Sequence, residues 1–213
     1  MTKPLLIELE GPEFSGKTSQ ASILKDIYNL EYIRIPGSTK IGEEIRHLIK
    51  YDPNITSRTQ LGLLIAAFYS VYEKMINSDS CLSCVVDRGI TSMYVYQGCI
   101  HRLLETNYNL FSGIISDIIS LLNVHFNYKR FYLKISPNEI IKRRNKSDRK
   151  VEIAGKIDYY DNLSHEKFID MVNFYDQAII DPIFKNVKTY VIDGSHPLDE
   201  ITKDIKKIID NDL

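Results

Sequence analysis

Residues Leu5-Leu6-Ile7-Glu8-Leu9-Glu10-Gly11-Pro12-Glu13-Phe14-Ser15-Gly16-Lys17-Thr18-Ser19-Gln20 run from an apolar stretch into the pattern G-x-x-x-x-G-K-T. The apolar part reads as a strand over Pro4–Leu9, and the residues after the second glycine as a helix over Lys17–Leu30. Gly11 and Gly16 permit backbone conformations that turn successive N–H groups inward around a phosphate. The helix that follows directs its unpaired N–H groups and positive dipole end at the same anion. Lys17 can reach the terminal phosphates, and the Thr18 hydroxyl can coordinate Mg²⁺. A glycine turn that only joined strand to helix would need neither side chain. The loop therefore predicts a nucleoside-triphosphate site with Mg²⁺, the ATP site of a kinase or the corresponding site of a GTPase or an ATP-driven motor, built from Gly11, Glu13, Ser15, Gly16, Lys17, Thr18 and Ser19.

Outward from this loop the chain alternates strands and helices. Short apolar strands are expected at Tyr32–Ile35, Cys81–Val86, Phe131–Ile135 and Val187–Ile192. Helices are expected at Ile41–Lys50, Ser57–Ser78, Ser164–Ile179 and Leu198–Ile209, with another starting at Ile140–Arg144. Ser164 suits an N-cap, with Lys167 rather than glutamate at the capping-box position. Five strands alternating with helices predict an α/β fold: a five-stranded, mainly parallel sheet covered on both faces. A chain of 213 residues buries one substantial core, so residues 1–213 read as a single domain.

The composition excludes several classes. No apolar run approaches the roughly 20 residues that cross a bilayer. The first residues lack a signal-peptide layout, so the expected location is the cytoplasm, without membrane contact. A formal net charge of −1 gives no reason to expect nucleic acid as a partner. Cys81-Leu-Ser-Cys84 has CxxC spacing, but no second pair and no nearby histidine completes a metal site. These cysteines read as small hydrophobic packing residues.

Asp87-Arg88 follows the expected third strand. A carboxylate at the carboxyl end of a sheet strand sits where open α/β folds bind ligands, and can hold Mg²⁺. The arginine beside it offers a planar fork to a phosphate. Four segments together then resemble the thymidylate kinase (dTMP kinase) family. They are Glu10-Gly-Pro-Glu13-Phe-Ser-Gly-Lys-Thr-Ser-Gln20, Arg34-Ile-Pro-Gly-Ser-Thr-Lys-Ile-Gly-Glu-Glu-Ile-Arg46, Asp87-Arg-Gly-Ile-Thr-Ser-Met-Tyr-Val-Tyr96-Gln97-Gly98 and Tyr190-Val-Ile-Asp193-Gly-Ser195.

The resemblance implies a three-layer P-loop kinase fold with a mobile lid at about 143–157. It also implies transfer of the ATP γ-phosphoryl group to dTMP, giving dTDP, in a homodimer. Lys17 and Arg88 would be catalytic, and Thr18 and Asp87 would hold the metal. Glu13, Arg34, Arg46, Leu64, Phe68, Arg88, Tyr96 and Gln97 would surround the acceptor. The P-loop has no arginine between Gly11 and Gly16, so a cation has to come from the lid, with Arg149 and Arg144 as candidates. Alternative readings are a kinase of another deoxynucleotide, a deoxynucleoside kinase, or a nucleotide-binding protein of this fold without transfer activity.

The chain also departs from the family pattern. The third helix usually carries Phe-x-x-x-Arg, which stacks on and hydrogen-bonds thymine. Here the aligned residues are Leu64 and Phe68, or Ile65 and Tyr69 in the alternative register. Gly89 stands where tyrosine is usual and Ile35 where glutamate is usual. The donor side matches the pattern, and the nucleobase side is altered.

Overall fold

The computed structural model describes residues 3–52, 54–77, 82–146 and 164–211. Five strands form one sheet: β1 (Leu5–Glu10), β2 (Glu31–Arg34), β3 (Cys84–Asp87), β4 (Asn127–Lys134) and β5 (Thr189–Asp193). Their order is β2-β3-β1-β4-β5, and every neighbouring pair is parallel. The helices are α1 (Lys17–Tyr28), α2 (Lys40–Tyr51), α3 (Ser57–Asn77), α4 (Ile90–Met93), α5 (Leu104–His125), α6 (Pro137–Lys146), α7 (His165–Ile180) and α8 (Leu198–Asn211). A π-helix, Tyr94–Ile100, continues α4 without a break.

The alternation of β1 explains the layers. Leu5, Ile7 and Leu9 pack with Ala21 and Leu24 of α1 and Ile201, Ile205 and Ile209 of α8 on one face. Gln20 ties those two helices together: its amide donates to Leu198 O (2.7 Å), and its carbonyl accepts from Thr202 Oγ1 (2.9 Å). Leu6 faces the larger core formed by α3, α5, α7 and the π-helix. Glu8 and Glu10 share that side of the strand and are as buried as their apolar neighbours.

The expected strands all form, with shifts that have physical causes. The third begins at Cys84; Cys81 lies outside the described residues. The fourth starts at Asn127, not Phe131, because its polar first half is buried by specific partners. Arg130 is fully buried, donating to Thr91 Oγ1 (2.8 Å) and to Thr189 Oγ1 (2.8 and 2.6 Å), with its guanidinium 4.5 Å from the Phe184 ring. Ser164 caps α7 as expected, accepting from Lys167 N. The periodicity reading assigned nothing between Asp87 and Phe131, where the structure has α4, the π-helix and the 22-residue α5. Buried Phe111, Ile115, Ile118, Ile119 and Leu122 carry the helical spacing of α5.

Candidate active site

Strand order reverses at β1, where the chain first builds β2 and β3 on one side and then β4 and β5 on the other. Open parallel sheets bind ligands beyond the carboxyl ends of the strands at such a switch point. The register pairs Leu9 with Asp87, so the loop after β1 and the residues after β3 emerge side by side.

The phosphate loop depends on backbone geometry. Gly11 has φ +147°, Phe14 +62° and Gly16 +97°. A side chain on Gly11 would also come within 2.8 Å of Leu133 O and 2.9 Å of Ser15 Oγ. Gly16 caps α1 in a left-handed conformation, and no side chain satisfies the amides of the first turn. They stay open for an anion. Lys17 Nζ lies inside the loop, donating to Pro12 O (2.6 Å) and Ser15 Oγ (3.3 Å). Burial, helped by the charge of Arg88, brings the Lys17 amine down to about 8, against the pull of Glu13, Asp87 and Glu10.

Thr18 and Asp87, the two expected metal-holding residues, are in contact. Thr18 Oγ1 donates to Asp87 Oδ2 (2.7 Å), and Tyr32 OH donates to the same oxygen (2.9 Å). Asp87 Oδ1 is buried and has no hydrogen-bond partner among the described residues. Arg88, at φ +72°, turns away from the strand and pairs with Glu13. Its other nitrogen donates to Tyr96 OH (3.2 Å), and Tyr96 OH lies 3.3 Å from Glu13 Oε1. Burial alone would push the Glu13 carboxyl up. The charges of Arg88 and Lys17, with hydrogen bonds from Arg88 and Tyr96, outweigh it and hold Glu13 below the usual carboxylate range.

Two cavities adjoin at this pair. One, of about 310 Å³, lies over Gly16, Lys17, Thr18 and Ser19 and is closed by Arg143 and Leu198. The other, of about 200 Å³, is lined by Arg46, Leu64, Phe68, Tyr96 and Gln97, together with Ile35, Ile49 and Met93. Glu13 and Arg88 line both. The π-helix supplies Tyr96 and Gln97, adjacent residues that both line the second cavity. Such insertions are frequent at functional sites.

Some expected residues fall elsewhere. Arg34 does not line the second cavity; its guanidinium pairs with Glu43 at 3.1 Å. The Arg144 guanidinium lies 5.5 Å from the Phe168 ring and lines neither cavity. The lysine-and-arginine run instead brings Arg143 to the phosphate loop, where it donates to Phe14 O (3.4 Å) and Gly194 O (2.7 Å). Glu139, one turn back on α6, accepts from Arg143 Nε at 3.1 Å and orients it. Arg149 and lid residues 147–157 lie outside the described residues.

The reading missed the carboxylates beneath the site. Glu10 accepts from Gly89 N (2.9 Å), Ser92 N (3.0 Å) and Ser92 Oγ (2.6 Å), which fixes the turn that carries Arg88. Glu8 accepts from Tyr128 OH at 2.7 Å, and its other oxygen has no hydrogen-bond partner among the described residues. Burial first, and then the charge of Glu10, pushes the Glu8 carboxyl up to about 8. Two glutamates on one face of a strand that otherwise reads as apolar were the available signal.

A phosphate loop and an apolar-walled cavity that share an arginine and a carboxylate let a nucleoside triphosphate and an acceptor meet at one point, the arrangement of a P-loop kinase. Solved structures agree at the level of fold. Deoxyadenosine kinase from M. mycoides with bound dATP superposes with a TM-score of 0.66 at 14% identity, covering 97% of this chain and 100% of that one. The YorR protein of Bacillus subtilis, in complex with phosphorylated GDP, gives 0.60 at 20% identity, covering 96% and 95%.

The chain belongs to the thymidylate kinase family, whose profile matches residues 9–205. Thymidylate kinases of Thermoanaerobacter sp. and Campylobacter hominis are 27% and 28% identical to it, covering 97% and 96% of this chain and 98% and 100% of theirs. That of Nautilia profundicola is 26% identical over 83% of this chain. Members are ATP-dependent nucleoside monophosphate kinases that phosphorylate dTMP. No helix among the described residues is long and apolar enough to cross a membrane.

Proposed function

We propose that the cavity over the phosphate loop holds ATP, that the adjoining cavity holds dTMP, and that the γ-phosphoryl group passes between them to give ADP and dTDP. The observation that carries this reading is the Glu13–Arg88 pair, which lies on the wall common to both cavities. In the transfer an oxygen of the acceptor phosphate bonds to the γ-phosphorus, and the bond from that phosphorus to the β-bridging oxygen breaks. Most of the catalysis is positioning and charge stabilisation. Lys17 and the open amides of α1 grip the donor phosphates. Arg88, oriented by Glu13 and Tyr96, grips the acceptor phosphate with Arg46. The Tyr96 ring, held by these bonds and packed edge-on to Tyr175, would crowd a ribose 2′-hydroxyl and so favours deoxyribose.

Mg²⁺ fits the site. Thr18 and Asp87 are within hydrogen-bonding distance, and the buried Oδ1 of Asp87 lacks a partner that a hard cation would provide. Bound there with ATP, it would neutralise charge on the phosphates. Arg143 is the cation that supports the transferring group from α6, in place of Arg144. Arg149 remains a second candidate on the family resemblance alone. A cytoplasmic homodimer completes the proposal, and light scattering on the full chain tests the dimer.

The deciding experiment is ADP release from ATP–Mg²⁺ with a panel of nucleoside monophosphates and nucleosides. Turnover of dTMP is expected. Activity on nucleosides alone would overturn the reading, and ATP binding without turnover of any acceptor would mark a protein that has lost transfer.

A further inference from the structure

Glu8 and Glu10 share one side of β1, and both are buried, at 0% and 1% exposed. Their donors differ. Glu10 accepts from Gly89 N (2.9 Å), Ser92 N (3.0 Å) and Ser92 Oγ (2.6 Å). Glu8 accepts from Tyr128 OH of β4 (2.7 Å), and its buried Oε1 meets no donor among the described residues. A charged carboxylate oxygen shut away from water without a donor is strongly disfavoured. The other charged and titratable groups around Glu8 do not relieve it. Arg130 of β4 attracts it, but that guanidinium is engaged by Thr91 and Thr189. Glu8 acts electrostatically on Tyr72 of α3, as Cys84 of β3 also does, and the buried Tyr72 hydroxyl itself has no partner among the described residues.

Two buried carboxyls at one site do not both ionise, and the proton stays on the one with fewer donors. Here that is Glu8. A proton on the Glu8 carboxyl makes it a donor, and the Glu10 side chain lies within its hydrogen-bonding reach. Burial first, and Glu10 second, push the Glu8 carboxyl up to about 8, so the proton is present at neutral pH. Glu10, held from below by Glu8, holds the backbone amides of Gly89 and Ser92 above it. Arg88 stands one residue before this anchored turn at φ +72°, a conformation uncommon outside glycine. Gly89 leaves the room the arrangement needs, since a methyl group there would stand 2.1 Å from Glu8 Cδ.

We propose that Glu8 is a positioning residue for the transfer: as a neutral acid it donates a hydrogen bond to Glu10, and the pair, sharing one proton, fixes the Gly89–Ser92 turn that sets Arg88 against the acceptor phosphate. This rests on the monophosphate-kinase reading above. Loss of the proton places a second negative charge beside Glu10 and loosens the turn. The grip on the acceptor therefore weakens as the pH rises through about 8, and the grip on ATP does not depend on this pair.

The experiment compares the full chain with Glu8→Gln, which keeps a donor that cannot ionise, and Glu8→Met, which keeps the length without one. The KM for dTMP is measured from pH 7 to 9.5 at saturating ATP–Mg²⁺, where any influence of Lys17 is common to all three. In the parent it should rise about tenfold across this range, the scale of one lost hydrogen bond to a charged group. Glu8→Gln should rescue the parent value at pH 7 and hold it as the pH rises. Glu8→Met should show the tenfold higher KM already at pH 7. At pH 7 the infrared difference between parent and Glu8→Gln should contain the C=O stretch of one neutral carboxyl. A Glu8→Gln profile parallel to that of the parent would overturn the inference, whether or not Glu8→Met folds. So would absence of the neutral-carboxyl band, with dTMP turnover and the kinase reading intact. Absence of turnover with any monophosphate would overturn the positioning role together with the reading it rests on.

Discussion

Replacing Gly89 with alanine should destabilise this chain severely, for a reason that lies across the sheet. A methyl group at Gly89 would stand 2.1 Å from Glu8 Cδ and 2.3 and 2.4 Å from its two oxygens. Carbon atoms in contact ordinarily sit about 3.5–4.0 Å apart, so about 1.5 Å of movement is required. Neither partner can supply it easily. Glu8 is fully buried on the central strand and held by Tyr128, and Gly89 N is tied to Glu10.

The φ of Gly89, −119°, is not in the positive region that excludes side chains, so the clash is the main obstacle. Overpacking of a rigid core costs about 1–3 kcal/mol, and a conflict this close belongs near the upper end, about 3 kcal/mol. For a chain of this length that corresponds to a fall of about 6–12 °C in Tm. In a Glu8→Ala background the carboxyl is gone, and Gly89→Ala should cost under about 1 kcal/mol. The assay is denaturant and thermal unfolding of the parent, both single variants and the double variant at pH 6. At that pH the raised pKa keeps Glu8 protonated in the folded state. Equal losses in the two backgrounds, or a Gly89→Ala protein within about 1 °C of the parent, would refute the reasoning.

Two further outcomes follow from the phosphate site. Lys17 is a cation below about pH 8 in the free protein, and bound phosphates raise its proton affinity. The association constant for ATP should therefore be level below pH 8 and fall about tenfold per unit above it, until the pKa of the complex is reached. Isothermal titration from pH 7 to 9.5 checks this, and Lys17→Met should bind weakly with no such slope. Arg143→Ala should lower kcat about 10²–10³-fold, the scale of one lost charge-stabilising donor, while Arg144→Ala stays within a few-fold of the parent. Steady-state kinetics on dTMP separates them, and the reverse ranking would return the role to Arg144.

Short-range chemistry determined most of the donor side. The span from Gly11 to Thr18 carries its own geometry, because the glycines set the positive φ values and the lysine and threonine lie within eight residues of the first. Asp87 and Arg88 were legible from their place at a strand end. Only tertiary structure could decide which residues share a wall. Arg34, Arg143 and Arg144 look alike along the chain. The ion pair with Glu43, the carbonyls of Phe14 and Gly194, and the Phe168 ring give them three different places.

The π-helix was equally hidden, since its extra residue leaves no mark in the hydropathy of Tyr94–Ile100. Gly89 shows the division most plainly. The sequence marked it as a departure from the family pattern, and the reason stands 81 positions away at Glu8, on a neighbouring strand whose side chain fills the space. Local pattern reports what a segment can do with its own backbone. Which side chain occupies a given volume is settled when the sheet brings distant strands together.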